Sequence, residues 1–455
     1  MITIYRSRVI NPLTKDRIEE YIDGAVVVGE NGKISSVGDY EKVVAPLRKK
    51  KFKEVDRRGM LIMPGLIDCH LHLPQLDLRG KHGATLLQWL EKYIFSAERA
   101  FARADIAEEL SKRFFKKLIL NGTTTAGVYS TIHYRSTDIA FSVAKASGLR
   151  IILGKVMMDQ NSPAGLLENG RDSLSESERL CEKWHNTEGG RLMYAFTPRF
   201  APTCSESLLS EIGKMARDSG AYIQTHLAET LQEVLFVKKL FPDHPDYTSV
   251  YEENDCLTPK TLLGHAIHIS DDEMSRIAKN GAKVIHCPSS NLFLKSGSIR
   301  LNEIDGHGIT IGLGTDVGAG TSMSLFTTMR HADYIQPRFN VSPAFAFYLA
   351  TLGGAKALSL EHITGNLAAG KSADLIVADI RGIDPRYDIS AMDKEELLSV
   401  MMYRGNGDLV KEVYVEGKRL DVDDLKMKGE KKNARPRSSR AKASRGRKRS
   451  NKIRR

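Results

Sequence analysis

"MPGLIDCHLHLPQLDLRG", residues 63–80, sets two histidines one residue apart at the end of an apolar run, directly behind an aspartate. Side chains alternate faces along a strand, so Asp68, His70 and His72 share one direction. A polar triplet that closes a buried strand is costly unless something satisfies it. A divalent cation does so readily for paired neutral imidazoles. A lone histidine is ordinarily a core or surface residue, so it is the H-x-H spacing that raises the metal reading and the rest of the chain that decides it.

Outward from this stretch, short apolar runs recur with helical segments between them. They are "GLIDCHLH", "TTTAGVY", "RIILGKVMM", "LMYAFTPRF", "YIQTHLAE", "LLGHAIH", "AKVIHCPSSN" and "ITIGLGTDVG". Strands that alternate with helices such as "ADIAEELSKRFFKKLILNG" argue for a parallel sheet. Eight units over residues 63–367 predict an α/β protein with a (β/α)8 TIM-like barrel, whose catalytic groups gather where the strands end. His70 and His72 end the first strand, Arg199 the fourth, His226 the fifth, His265 the sixth and Asp316 the eighth. Residues 1–62 and 368–425 instead show short alternating runs broken by Gly and Asn, the texture of hairpins. They are expected to form one small composite β-sandwich domain from both chain ends.

The 455 residues are 41% hydrophobic, enough for a large core. No apolar stretch is long enough to span a membrane, the start "MITIYRSRVINP" has no signal-like apolar region, and five scattered cysteines suit a reducing compartment. These features predict a cytoplasmic protein with no membrane partner. The net charge of +11 is local: residues 426–455 hold 15 basic and one acidic side chain, while residues 1–425 hold 52 against 55. The tail is expected to be a disordered basic extension. Its alternatives are a passive solubiliser, a nucleic-acid contact, or a signal for import machinery that would make the protein nuclear.

A catalytic zinc site takes about three protein ligands and leaves one position open. His70, His72, His226 and Asp316 would supply three nitrogens and a carboxylate around one barrel mouth. Glu229, three residues after His226, is placed as the proton shuttle, with a charge at a helix N-terminus as the rival reading. His265 is left to stabilise the water or the developing oxygen, and is chosen over His268 because the two lie on opposite strand faces. His133 and His286 are expected in supporting roles. Gly312 and Gly314 imitate only half of a dinucleotide fingerprint.

The motifs "PGLIDCHLH", "THLAE", "GH" at 264–265 and "GTD" at 314–316, in that order, resemble the amidohydrolase superfamily of metal-dependent barrels. No lysine ends strand four to bridge two metals, so the resemblance is to the mononuclear branch. "HLHLPQ", "NGTTTA", "GKVMMDQN", "TPRF", "YTSVY", "HCPSSNL", "GLGTDVGAG" and "ATLGGAKALSL" are similar to the guanine deaminase family over about residues 60–370. That resemblance implies one Zn2+ per subunit, with Fe2+ as the alternative, and a homodimer. It also implies guanine as substrate, bound by Gln75, Arg199, Phe200, His226, His265 and Asp316, with Glu229, His265 and Asp316 catalytic. Metal-activated water would attack C2, and xanthine and ammonia would leave. Arginine pairs bidentately with guanine O6 and N7, which suits Arg199 to this base. The basic tail departs from the family pattern. In "LLQWLEKYIF", Trp89, Tyr93 and Phe95 either cap the pocket or form plain core. Two rivals remain at this point: another aminohydrolase acting on an adenosine derivative, cytosine or a triazine, and a non-catalytic scaffold that binds polyanions or cytoskeletal partners through the tail.

Overall fold

The computed structural model describes residues 1–81 and 89–425. The basic tail and the stretch 82–88, part of the expected pocket cap, lie outside the described residues.

Eight parallel strands form the barrel: β5 (Leu66–His72), β6 (Thr123–Tyr129), β7 (Arg150–Gly154), β9 (Leu192–Pro198), β10 (Tyr222–Leu227), β11 (Thr261–His265), β12 (Lys283–His286) and β13 (Ile311–Leu313), with the short β8 (Val156–Met157) pairing β9. Each strand hydrogen-bonds its neighbour in chain order, as βαβ units require. The ring closes where the chain leaves β13: Asp316 N–H donates to the His70 carbonyl (2.8 Å) and His72 N–H to the Val317 carbonyl (2.7 Å). Glycines make this seam possible. A Cβ on Gly314 would lie 2.7 Å from the His70 Cβ, and one on Gly312 2.7 Å from the Cys69 Sγ. Gly312 and Gly314 therefore answer a packing need between strands.

The helices between strands follow from an apolar stripe at helical spacing. In Ala104–Leu120 the buried face is Ala107, Ser111, Phe114, Phe115 and Leu118. Asp271–Asn280 opens on a Ser270–Glu273 capping box and closes on Gly281 in the left-handed conformation, which fixes where the chain turns back into β12.

Both chain ends build one seven-stranded sheet: β1 (Ile2–Pro12), β2 (Ile18–Val28), β3 (Ile34–Asp39), β4 (Phe52–Pro64), β14 (Leu375–Ala378), β15 (Val410–Val415) and β16 (Lys418–Arg419), in the order β16-β15-β14-β4-β1-β2-β3. The two layers of the expected sandwich are continuous, because this sheet curls over itself. Ile34 N–H donates to the Lys371 carbonyl and Gly370 N–H to the Ile34 carbonyl, both at 2.8 Å, bringing edge strand β3 back to the approach of β14. The rings of Tyr5 and Tyr414 meet inside at 4.9 Å. β4 runs two residues past position 62, since Met63 and Pro64 pair with Ile376 and Leu375. Gly65 then carries the chain into β5, and buried Arg150 at the start of β7 reaches Asp374 at 3.2 Å, tying barrel to sheet. Among the described residues, no helix is long and apolar enough to cross a membrane.

Candidate active site

The strand ends bring the expected polar residues to one place. His226 Nε2 lies 3.2 Å from His72 Nε2, and Asp316 Oδ1 lies 3.3 Å from His72 Nε2 and 3.5 Å from His70 Nε2. All four side chains are buried or nearly so. Room for the His70 ring comes from Gly264, whose Cβ would stand 2.7 Å from His70 Cε1, so the glycine of the "GH" motif serves the histidine of another strand. His265 and Asp316 both adopt left-handed backbone, φ 69° and 48°, which non-glycine residues rarely take. Such strain at strand ends is the kind that functional sites retain. Tyr129, at the end of β6, packs its ring on His70, His72 and His226 at 4.6–5.0 Å.

Electrostatics favour the neutral imidazole at His70 and His226. The His226 Nδ1–H donates to the Arg199 carbonyl at 2.6 Å, which leaves Nε2 as an acceptor. His265 also holds its Nδ1–H on Asn291 Oδ1, 3.0 Å away, but burial is outweighed there by the carboxylates of Glu229 and Asp316, which raise its pKa above the usual imidazole value. Burial pushes the His70 pKa down to about 4 and that of His226 well below the usual imidazole range. Burial also works against the Asp316 carboxylate, but the imidazoles of His70 and His72 beside it prevail and hold its pKa well below the ordinary value. His226 Nε2, an acceptor, meets His72 Nε2 at 3.2 Å, and among the described residues His70 Nε2 and His72 Nδ1 are buried with no hydrogen bond. This donor set of nitrogens and one carboxylate fits a divalent cation. Two overlapping triads have mutually close ligand atoms: His70, His72 and Asp316, and His70, His226 and His265. The geometry thus brings His265 as near the cation position as the four expected ligands. Asp68 serves the frame instead, accepting from Thr315 Oγ1 at 2.6 Å and Thr315 N–H at 3.0 Å.

Above this cluster lies an open cleft, lined among others by Gln75, Trp89, Arg199, Phe200, Glu229 and Glu233. Left-handed Ala228 (φ 49°) ends the strand course before Glu229. The Glu229 carboxylate accepts from Ser296 Oγ at 2.9 Å and stands 3.7 Å from His265 Nε2. The following helix begins at Leu231 with Thr230 as its cap, and the hydrogen bond to the Glu229 side chain comes from Ser296 rather than from that helix's amides. Arg199 donates from Nη1 to both oxygens of Glu98, at 2.8 and 2.6 Å, and Gln75 Nε2 donates to Glu98 Oε1 at 3.0 Å. Gly318 N–H donates to Gln75 Oε1 at 3.2 Å. Trp89 lines the cleft with its indole N–H on the Lys81 carbonyl, while Tyr93 and Phe95 pack in the cluster behind it. His268 bonds the Ser296 carbonyl, and His133 and His286 lie outside the lining. Sequence reading missed Glu98, Asn291, Ser296, Glu233 and Tyr129. Of these only Tyr129, ending a barrel strand, carried a usable positional signal.

Residues 61–420 match the model of the amidohydrolase family. The chain is 37% identical to the guanine deaminase of Escherichia coli (strain K12), over 88% of this chain and 91% of that protein. It is 34% identical to the guanine deaminase of Mus musculus, over 92% and 96%. The solved guanine deaminase of C. acetobutylicum with guanine bound in its active site superposes with a TM-score of 0.86 at 30% identity, covering 92% of this chain and all (100%) of that one.

Proposed function

The chain belongs to the amidohydrolase family, among its guanine deaminases, and on that footing we propose how this cleft hydrolyses guanine to xanthine and ammonia. One observation carries the reading of the site. Three barrel-borne imidazoles and a carboxylate converge within hydrogen-bonding distances under a cleft that also holds Glu229 and Arg199. His70, His72, His226 and Asp316 would hold a divalent cation, zinc on the strength of three nitrogen donors and one oxygen, with iron(II) as the alternative. The cation supplies the Lewis acidity that makes water nucleophilic near neutral pH.

The remaining steps belong to the protein. Arg199 and Gln75 hold the purine edge while Phe200 and Trp89 bound its faces, which fixes C2 over the cluster. Glu229 takes a proton from the water that adds to C2, delivers it to N3, and then carries the remaining proton of the added hydroxyl to the amine, which leaves as ammonia as the C2 carbonyl forms. His265, held through Nδ1–H by Asn291, donates from Nε2–H in its protonated form to the charge that develops on the attacking oxygen. Adenine would present an amino donor to the guanidinium and leave a buried group unpaired, a mismatch worth several orders of magnitude in selectivity. Five buried free thiols support the reducing, cytoplasmic setting that goes with this reading, in which the enzyme works as a homodimer.

The test is turnover of guanine beside adenine and cytosine, followed by the loss of guanine's ultraviolet absorbance, with metal analysis of the same sample. About one equivalent of zinc and turnover of guanine alone are expected. Guanine left unchanged by metal-replete protein would sink the reading.

A further inference from the structure

Glu98 does no work in the proton steps above, yet it is bonded to two residues that line the cleft, Gln75 and Arg199. It sits on the short helix Phe95–Ala100 and is 1% exposed. A buried carboxylate–guanidinium pair is a poor way to gain stability, because desolvation consumes most of its Coulomb energy. Its partners point to a different use. Among the described residues, the three side-chain hydrogen bonds to the Glu98 carboxylate come from Arg199 and Gln75, the two polar residues assigned to the purine edge. On Arg199 both bonds leave from Nη1, and the Nε–Nη2 edge makes no hydrogen bond among the described residues.

The geometry points to Glu98 as a positioning residue that sets selectivity for 6-oxopurines, an inference that rests on the guanine reading above. By holding Nη1, Glu98 turns the Nε–Nη2 fork toward the cleft. Two parallel N–H donors on that edge match adjacent acceptors such as guanine O6 and N7. The same carboxylate takes one amide proton of Gln75 while Gly318 fixes its oxygen, which sets the amide's orientation and leaves one N–H for the base. Glu98 also cancels the guanidinium charge, so the edge suits an uncharged base rather than an anion.

The experiment compares E98Q and E98D with the wild-type metalloenzyme, using guanine as substrate and 2-aminopurine, which lacks the 6-oxygen, as competing ligand. In E98Q the KM for guanine should rise tenfold or more while kcat falls less than threefold. The inhibition constant of 2-aminopurine should move less than twofold. E98D keeps the charge on a shorter stem and should recover part of the KM, and it carries the comparison should E98Q fail to fold. A merely structural role would weaken both ligands by the same factor, and that result, or an unchanged KM, overturns the inference. Wild-type protein that leaves guanine untouched removes the parent reading instead, before any variant is compared.

Discussion

The imidazole side of the cleft and the guanidinium side bury polar groups by opposite electrostatic means. On the first, burial keeps His70 and His226 neutral, the Nε2 atoms of His226 and His72 face each other at 3.2 Å, and among the described residues His70 Nε2 and His72 Nδ1 are buried without a hydrogen bond. That wall is complete only with a cation. On the second, Arg199 carries its counter-charge in Glu98, and the pair is closed within the chain. The difference separates what loss of metal and loss of a side chain do: the first wall depends on an external charge, the second on a single carboxylate.

Glu229 stands between the two walls, and its replacement gives the largest expected effect. E229Q keeps the shape and the Ser296 contact but has no proton to take or give, so turnover should fall by about 10³-fold or more, the scale of general acid–base catalysis. Metal content should stay at the wild-type level, because Glu229 is not among the clustered ligand atoms. A loss of only a few fold would remove Glu229 from the proton path; a loss of metal would move it into the first wall.

A smaller effect is expected on the second wall. R199K keeps the charge beside Glu98 but replaces a planar fork by a point charge. The KM for guanine should rise by about 10- to 100-fold with a lesser change in kcat, and the preference for guanine over adenine should narrow. Kinetics that match the wild type would mean that Arg199 faces Glu98 only and reads nothing.

The same two walls differ in how far the sequence reveals them. His70, His72, His226, His265 and Asp316 are legible because each lies at or just past the end of a strand, and strand ends in a closed barrel converge whatever the intervening helices contain. The glycines at 264 and 314 were quoted as parts of motifs, yet their task of clearing space for His70 depends on neighbouring strands and shows only in three dimensions. Glu98 lies 101 positions before Arg199 on a short helical segment, and nothing local distinguishes a buried glutamate from a solvated one there. Asn291 and Ser296 likewise arrive from the segment after β12 to orient His265 and Glu229. In the terminal sheet, alternation identified strands at both ends, but the pairing of β4 with β14 and the curl that returns β3 to Gly370 arise from contacts some 300 residues apart. Periodicity shows which face of a strand is buried and carries no record of which partner buries it.

The smallest expected effect tests what neutrality by burial contributes apart from metal binding. His286 ends β12, is fully buried, and among the described residues has no hydrogen-bond partner on either ring nitrogen. Burial, with the nearby His265 as a lesser cause, pushes its pKa down to about 3. In the unfolded chain the same group titrates near about 6.5. Between those values the unfolded state takes up a proton that the folded state refuses, so the stability His286 permits is full above about pH 6.5 and falls as the pH drops toward about 3. One such proton steepens the acid slope by up to about 1.4 kcal/mol per pH unit. H286L removes the titration together with two unsatisfied nitrogens, so stability at pH about 7.5 should change by no more than about 1 kcal/mol. Chemical denaturation of the metal-loaded protein between about pH 7 and 4 should show a shallower decline in H286L, with guanine turnover at neutral pH within about twofold of wild type. Parallel declines in the two proteins would mean that the acid sensitivity of this wall lies wholly with the histidines facing the cation. A large loss of turnover would instead bring His286 into the support of His265.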